Sequence, residues 1–348
     1  MNKILISLMA FSLWGLISCK AQTGDMPAGA FAQALENDPA TRLVDVRTAD
    51  EYREGHLRGA LNMDYFAKDF VQQVQAVYDT QEPVYVYCRS GRRSADAARQ
   101  LTEAGYKVYN MLGGYQAWTG EGREVTKYEV DRFLTPSGKP LEITYIKHGS
   151  VEIRFNGRSY QFDPVTGLGK PTDFTAEFPK ADAILVTHEH GDHLDAQAIG
   201  QLKGEGTLLL LNETSRKQIG QGEAIANGET RELPGGLMLE AVPAYNTTPG
   251  REKFHPKGNG NGYVVDFGGL RIYIAGDTED VPEMAGLKNI DIAFLPVNQP
   301  YTMTPEQCIR AARVIGPKIL VPYHYSQTDI SGIPEALPGI EVRIRQMQ

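Results

Sequence analysis

The stretch Thr187-His188-Glu189-His190-Gly191-Asp192-His193-Leu194-Asp195 crowds three imidazoles among carboxylates. Neutral imidazole and carboxylate are donors that zinc, manganese and iron all accept, so a divalent-metal site is the chemistry this spacing supports. The run Ala183-Ile184-Leu185-Val186 just before it has the length and composition of a buried strand. His188 and His190, two apart on extended backbone, then project to the same side. Gly191 permits a sharp turn, and Asp192 and His193 can return to the same point from the start of the next helix. Two further apolar runs end in donors: residues 272–275 lead into Gly276-Asp277-Thr278, and residues 319–323 into His324.

A second centre is built on sulfur. Residues 83–87 form a β-rich run that passes directly into Cys88-Arg89-Ser90-Gly91-Arg92-Arg93-Ser94 and then a helical stretch over 94–104. This places the thiol at the carboxyl end of a strand, facing loop amides and a helix N-terminus, the usual binding position in open α/β sheets. Converging N–H groups, the helix dipole and three arginines all favour negative charge on sulfur, and the thiolate is the nucleophilic form. The same cradle can hold an anion. Of the other two cysteines, Cys308 lies in a helical pattern where a buried free thiol is common, so Cys88 is expected to be unpaired.

Two α/β units must position these groups. Residues 42–46 and 83–87 are buried-strand runs alternating with helices, which argues for a parallel sheet. The turn-rich segment 125–140, ending Thr135-Pro136-Ser137-Gly138-Lys139-Pro140, is expected to be a linker. Beyond it come short strands over 141–145, 151–155 and 159–162, with Asn156-Gly157 as a hairpin turn, and later ones over 183–186, 208–211, 263–267, 271–275 and 319–322. Helices are expected around 196–202 and 305–314. The glycines of Lys257-Gly258-Asn259-Gly260-Asn261-Gly262 point to a flexible loop beside the metal site.

Residues 29–124 resemble a rhodanese domain. The resemblance rests on Leu43-Val44-Asp45-Val46-Arg47, Glu51-Tyr52, Gly55-His56-Leu57-Arg58-Gly59-Ala60-Leu61-Asn62, the Cys88 loop and Gly113-Gly114-Tyr115-Gln116-Ala117-Trp118. Cys88 to Arg93 is a six-residue loop, the length that family associates with sulfur substrates. The resemblance implies that Cys88 is catalytic, taking a sulfane sulfur from a donor such as thiosulfate or a persulfide and passing it on. Arg89, Ser90, Gly91, Arg92 and Arg93 would then form the anion-binding loop, with Asp45 and Arg47 bracing it.

Residues 141–348 resemble the metallo-β-lactamase fold, an αββα sandwich, in its lactonase-like and phospholipase D-like hydrolase branch. His-x-His-x-Asp-His, the Gly-Asp-Thr turn and the last His after an apolar strand occur in that family's order. The resemblance implies two divalent metal ions, zinc first and manganese or iron as alternatives. His188 and His190 would bind one; Asp192, His193 and His324 the other; Asp277 would bridge, and Asp192 would also be catalytic. The first metal ordinarily takes a third His soon after a Pro-rich turn. Here Tyr245 and Asn246 stand near that place, and His255 is the histidine available, either as a ligand or as a substrate-contacting loop residue. His148 and Asp163 match the branch as supports that orient ligands. A bridging hydroxide would attack an ester, lactone, amide or phosphodiester of a small molecule. The alternative reading is a mononuclear-iron persulfide dioxygenase fused to a rhodanese.

The N-terminus carries an address. Lys3 precedes a mostly apolar run over 4–17 that ends Leu16-Ile17-Ser18-Cys19, which resembles a bacterial lipobox. Residues 1–18 would be the signal peptide, Cys19 the lipidated residue and 19–28 a tether. The mature protein would then sit lipid-anchored in the cell envelope, in the periplasm or on the outer membrane. Among its 348 residues, 41% are hydrophobic and 22% charged, which excludes a disordered, collagenous or polytopic membrane chain. A net charge of −8 disfavours broad capture of nucleic acid, and no nucleic-acid partner is expected.

Overall fold

The structure, a computed structural model, describes residues 24–38 and 40–347; Cys19 and the signal segment lie outside the described residues. The first unit is a parallel sheet ordered Gly24–Met26, Val108–Met111, Val84–Tyr87, Arg42–Asp45 and Leu61–Asn62. Alternation sends Val44 and Val86 to one face, beneath the helices Phe70–Val77 and Arg92–Glu103. Leu43 and Tyr87 go to the other, beneath Ala28–Asn37 and Gly114–Gly120. Residues 24–26, expected within the tether, are instead an edge strand, with Gly24 opposite Tyr109.

The second unit stacks two seven-stranded sheets. Inward residues of both, among them Ile143, Ile153, Leu185, Leu239, Ile272, Phe294 and Val321, form the core between them. The helices Ala196–Leu202 and Pro305–Ile315 cover the outer faces over Ile184 and Leu211 on one side and Ala293 and Leu320 on the other. The layers are therefore α, β, β, α.

Two further expectations are corrected. Residues 129–134, inside the stretch expected to be a linker, are the edge strand Glu129–Leu134, paired antiparallel with Pro140–Lys147; residues 125–128 and the turn over 135–139 carry no helix or strand. The glycines at 260 and 262 lie in a strand, Gly260–Asp266, rather than in a flexible loop. A Cβ on Gly262 would stand 2.9 Å from the Ala275 carbonyl oxygen, so the glycine serves close strand approach.

The two units meet through a buried polar seam. His56 and Thr126 exchange backbone hydrogen bonds of 2.7 and 2.8 Å. Arg58 donates to Glu142 at 2.9 Å and Thr144 at 2.8 Å, and Arg154 of the second unit donates to Glu124 at 3.2 Å. Arg132 reaches back to the Leu35 carbonyl at 2.9 Å.

Candidate functional site

The strand Ala181–Val186 ends at the edge of the sandwich, and the chain turns over 187–193 before the helix Ala196–Leu202. Asp192 and His193 thus sit in that turn rather than on the helix. Asp195 is the helix N-cap, accepting from the N–H groups of Gln197 and Ala198. On the facing sheet, Arg271–Ile274 runs into Gly276, where a φ of +64° and the 2.7 Å at which a Cβ would meet the Asn261 carbonyl oxygen exclude a side chain. That turn delivers Asp277 to the histidines. His324 follows the strand Ile319–Tyr323.

Two groups of donors result. One atom each of His188, His190, His255 and Asp277 lie mutually within 4.8 Å, and so do one each of His148, Asp192, His193 and His324. Asp277 stands between them: its Oδ2 is 3.2 Å from His255 Nε2 and 3.4 Å from His324 Nε2, and its Oδ1 is 3.3 Å from His193 Nε2. His193 Nε2, His255 Nε2 and Asp277 Oδ1 are all buried without a hydrogen-bond partner. Buried polar atoms are ordinarily satisfied, and nitrogens and a carboxylate oxygen left bare at one point fit a cation. Burial would raise the Asp277 carboxyl, but His324 and His193 hold it well below the usual carboxylate range. Burial depresses the His188 imidazole strongly, keeping it neutral and ligand-competent.

His148, expected to be a support, stands among the donors of the second group. Its Nε2 is 3.1 Å from Asp192 Oδ2, and its ring lies 3.6 Å from that of His324. Its backbone N–H donates to Met347, and its carbonyl accepts from His324 at 3.3 Å. Asp163 accepts from Thr187 N–H and Thr187 hydroxyl, each at 2.7 Å, and from His193 Nδ1 at 2.8 Å. His148, Asp163 and His324 all have left-handed backbone, φ +47°, +43° and +53°. Such conformations cost about 1–3 kcal/mol each and persist where the surroundings enforce them.

Sequence reasoning did not single out Asn259, Asn212 or Glu279 as parts of this site. Asn259 and Asn212 donate to Glu189 at 2.7 and 3.1 Å and tie the histidine turn to its neighbours. Glu279 is fully buried two residues after Asp277. The Gly-Asp-Thr turn was visible, but nothing in the sequence distinguishes a buried Glu279 from a solvated one.

In the first unit, Cys88 is buried and free, as is Cys308. Burial alone would raise the Cys88 thiol. It is outweighed by hydrogen bonds from the Ser94 hydroxyl and the N–H groups of Ser94, Ser90 and Gly91, so the thiol is lowered. Gly114 backs the loop: a Cβ there would stand 2.3 Å from the Cys88 carbonyl oxygen. Arg89, Ser90 and Arg92 are exposed around the thiol. Arg93 is paired bidentately with Glu51 at 2.8 Å on both contacts, so its charge is already partnered. Arg47 binds Asp45 and the Gly55 carbonyl, while Tyr87 hydroxyl joins Asp45 to the Leu57 N–H. The pair therefore braces the 55–57 turn and, through Tyr87, the residue before Cys88.

Comparison with known proteins places both units. The beta-lactamase superfamily domain matches residues 142–324, more than half of the chain, and the rhodanese-like domain matches residues 28–121. A UPF0173 metal-dependent hydrolase of Thermus thermophilus is 34% identical over 191 residues, covering 53% of this chain and 84% of that protein. A candidate metal-dependent hydrolase of Parabacteroides distasonis, known from its crystal structure, is 55% identical with a TM-score of 0.61, covering 64% of this chain and 100% of that one. The metallo hydrolase Igni18 of Ignicoccus hospitalis shares the fold at 23% identity and a TM-score of 0.50, over 60% of this chain and 95% of that one. The chain belongs to the beta-lactamase superfamily domain family, with a rhodanese-like domain joined ahead of it.

Proposed function

We propose that the chain is a two-centre enzyme: a dinuclear metal-dependent hydrolase of small molecules, joined to a sulfurtransferase acting through Cys88. The observation that carries the hydrolase is the pair of four-residue donor groups, with Asp277 of one standing 3.3 Å from His193 and 3.4 Å from His324 of the other and three buried donor atoms left bare among them. Two groups rather than one favour two ions over the single iron of a dioxygenase. His188, His190, His255 and Asp277 would hold one cation, and Asp192, His193 and His324, with His148 beside them, the other. Divalent cations at such a site supply Lewis acidity and a hydroxide nucleophile near neutral pH. The rest falls to the chain. Asp163 fixes Nδ1 of His193 as the protonated nitrogen, leaving Nε2 as donor. Asp192 has a one-third exposed side chain. Hydrogen bonds from His148 and His324 overcome its burial and hold its carboxyl low, so it stays ionised and would serve as an oxygen donor to the cation. An ester, lactone or phosphodiester is the bond class this nucleophile attacks.

At the other centre, the Cys88 thiolate would attack the outer sulfur of thiosulfate, forming a cysteine persulfide as sulfite leaves. A thiol acceptor then takes the sulfane sulfur and restores the thiolate. Exposed Arg89 and Arg92 are the charges free to meet an anionic donor. Lipidation at Cys19 and an envelope location complete the reading, supported by the Leu16-Ile17-Ser18-Cys19 pattern.

The first test is elemental analysis of the chain purified without added metal, with assays on esters, lactones and phosphodiesters. Near two zinc or manganese equivalents per chain are expected; one equivalent of iron, with oxygen uptake on a persulfide, would reverse the reading. Asp277→Ala should lose both hydrolysis and bound metal. Cys88→Ser should abolish transfer from thiosulfate at unchanged metal content. Cys19→Ala should move the protein from the membrane to the soluble fraction.

A further inference from the structure

Asn246 is buried just beyond the strand Leu237–Ala244 and is engaged at both ends of its amide. Nδ2 donates to the carbonyl oxygens of Tyr301 at 2.7 Å and Arg251 at 3.3 Å. A carbonyl oxygen only accepts, so these contacts fix which end of the amide is nitrogen. The other end, Oδ1, faces Nδ1 of His255 at 3.3 Å. An amide oxygen also only accepts, which puts the proton of the neutral imidazole on Nδ1 and the lone pair on Nε2. That nitrogen lies 3.2 Å from Asp277 Oδ2 and is one of the bare buried donors.

The segment that carries His255 has no helix or strand of its own over 247–259. Asn246 closes its near part by donating its backbone N–H to the His255 carbonyl at 2.9 Å. Glu279 holds the start, accepting from the N–H groups of Thr247 at 2.8 Å and Thr248 at 2.6 Å. We propose that Asn246 is a positioning residue that selects the Nδ1-protonated form of His255 and so presents its Nε2 lone pair to a cation. This rests on the metal-centre reading above. It also explains why a non-ligating residue stands near the place where the third histidine ordinarily comes: Asn246 acts through His255.

The test is zinc titration of the metal-stripped full chain against a chromophoric chelator, comparing wild type with His255→Ala, Asn246→Ala and Asn246→Asp. Partners of this kind commonly change metal affinity about 10–100-fold. Asn246→Ala is expected to weaken one of two zinc sites by that factor and leave the other unchanged, as His255→Ala should. Asn246→Asp keeps an acceptor for Nδ1 but loses the Nδ2 donor, and is expected to stay nearer wild type. A direct readout is the nitrogen-15 spectrum of ring-labelled, metal-free protein, where the His255 signal should report the Nδ1-protonated form and lose that preference in Asn246→Ala. Wild-type affinity at both sites in Asn246→Ala would overturn the proposal, as would equal losses in Asn246→Ala and Asn246→Asp. If wild type takes up fewer than two ions, or His255→Ala keeps both sites intact, the metal-centre reading itself fails.

Discussion

The two buried thiols in this structure meet opposite environments. Cys88 lies at the mouth of the helix Arg92–Glu103 and receives hydrogen bonds from Ser94, Ser90 and Gly91, which lower its pKa despite burial. Cys308 lies inside the helix Pro305–Ile315 against apolar neighbours, and burial pushes it up to about 12. Since the thiolate is the reactive form, alkylation of Cys88 by iodoacetamide should rise with pH, level off below the ordinary thiol pKa, and be complete while Cys308 stays unmodified. Ser94→Ala removes a donor to the thiolate and should move that midpoint to higher pH. Rates measured from pH 5 to 10, with Cys88→Ser as the blank, decide it; a midpoint unmoved by Ser94→Ala would mean that the hydroxyl does not stabilise the thiolate. The nucleophile was legible because the hydrogen-bond donors that lower its thiol all lie within the seven residues from Cys88 to Ser94. The pairing of Arg93 with Glu51 was not legible, because the two lie forty-two residues apart.

At the scale of elements, the metal centre is where strand ends from two sheets meet, and residues just beyond those ends hold it in register. Asp163 follows the strand Arg158–Phe162 and gathers Thr187 and His193 from the end of the next. Asp163→Asn would point an amide N–H₂ at donors or leave them unsatisfied. Loss of such buried, charge-assisted bonds is expected to cost about 3 kcal/mol, read as a lower urea midpoint, together with weaker metal retention. An unchanged midpoint would show that Thr187 and His193 find other acceptors. Strands with simple patterns, such as 151–155 and 183–186, were readable. Those missed owe their form to remote partners. Leu237–Ala244 contains Glu240 and Pro243, poor strand formers, yet is paired on both sides, with Pro243 opposite Asn261. Glu129–Leu134 hides its character behind Asp131, which is buried because Tyr145, Arg343 and Arg345 all donate to it. Two of those partners lie more than two hundred residues on, beyond any local window.

For the whole molecule, the order of the two domains was plain from their motifs, whereas the way they join was not. Arg58 belongs to the motif Gly55-His56-Leu57-Arg58-Gly59 of the first unit, yet its guanidinium serves the second. It donates to Glu142 and Thr144 and lies 3.8 Å from the fully buried Glu152. With the His56–Thr126 backbone pair, this makes the seam a structural element rather than a tether between independent domains. Arg58→Ala leaves Glu142 its contact with Arg132 at 3.2 Å and Glu152 its bond to Arg154, so the loss is partial, about 1–3 kcal/mol. The exposed pair Arg53–Asp50 is the control, since such surface pairs contribute about 0–1 kcal/mol. In calorimetry, the wild-type chain should unfold in one transition, and Arg58→Ala should separate it into two as the domains lose their coupling. Arg53→Ala should leave the profile as it was. Because Arg58 contacts neither Cys88 nor the histidines, sulfur transfer and metal content at 25 °C should be unchanged in both variants. A single unshifted transition in Arg58→Ala would show that the domains are coupled elsewhere or not at all.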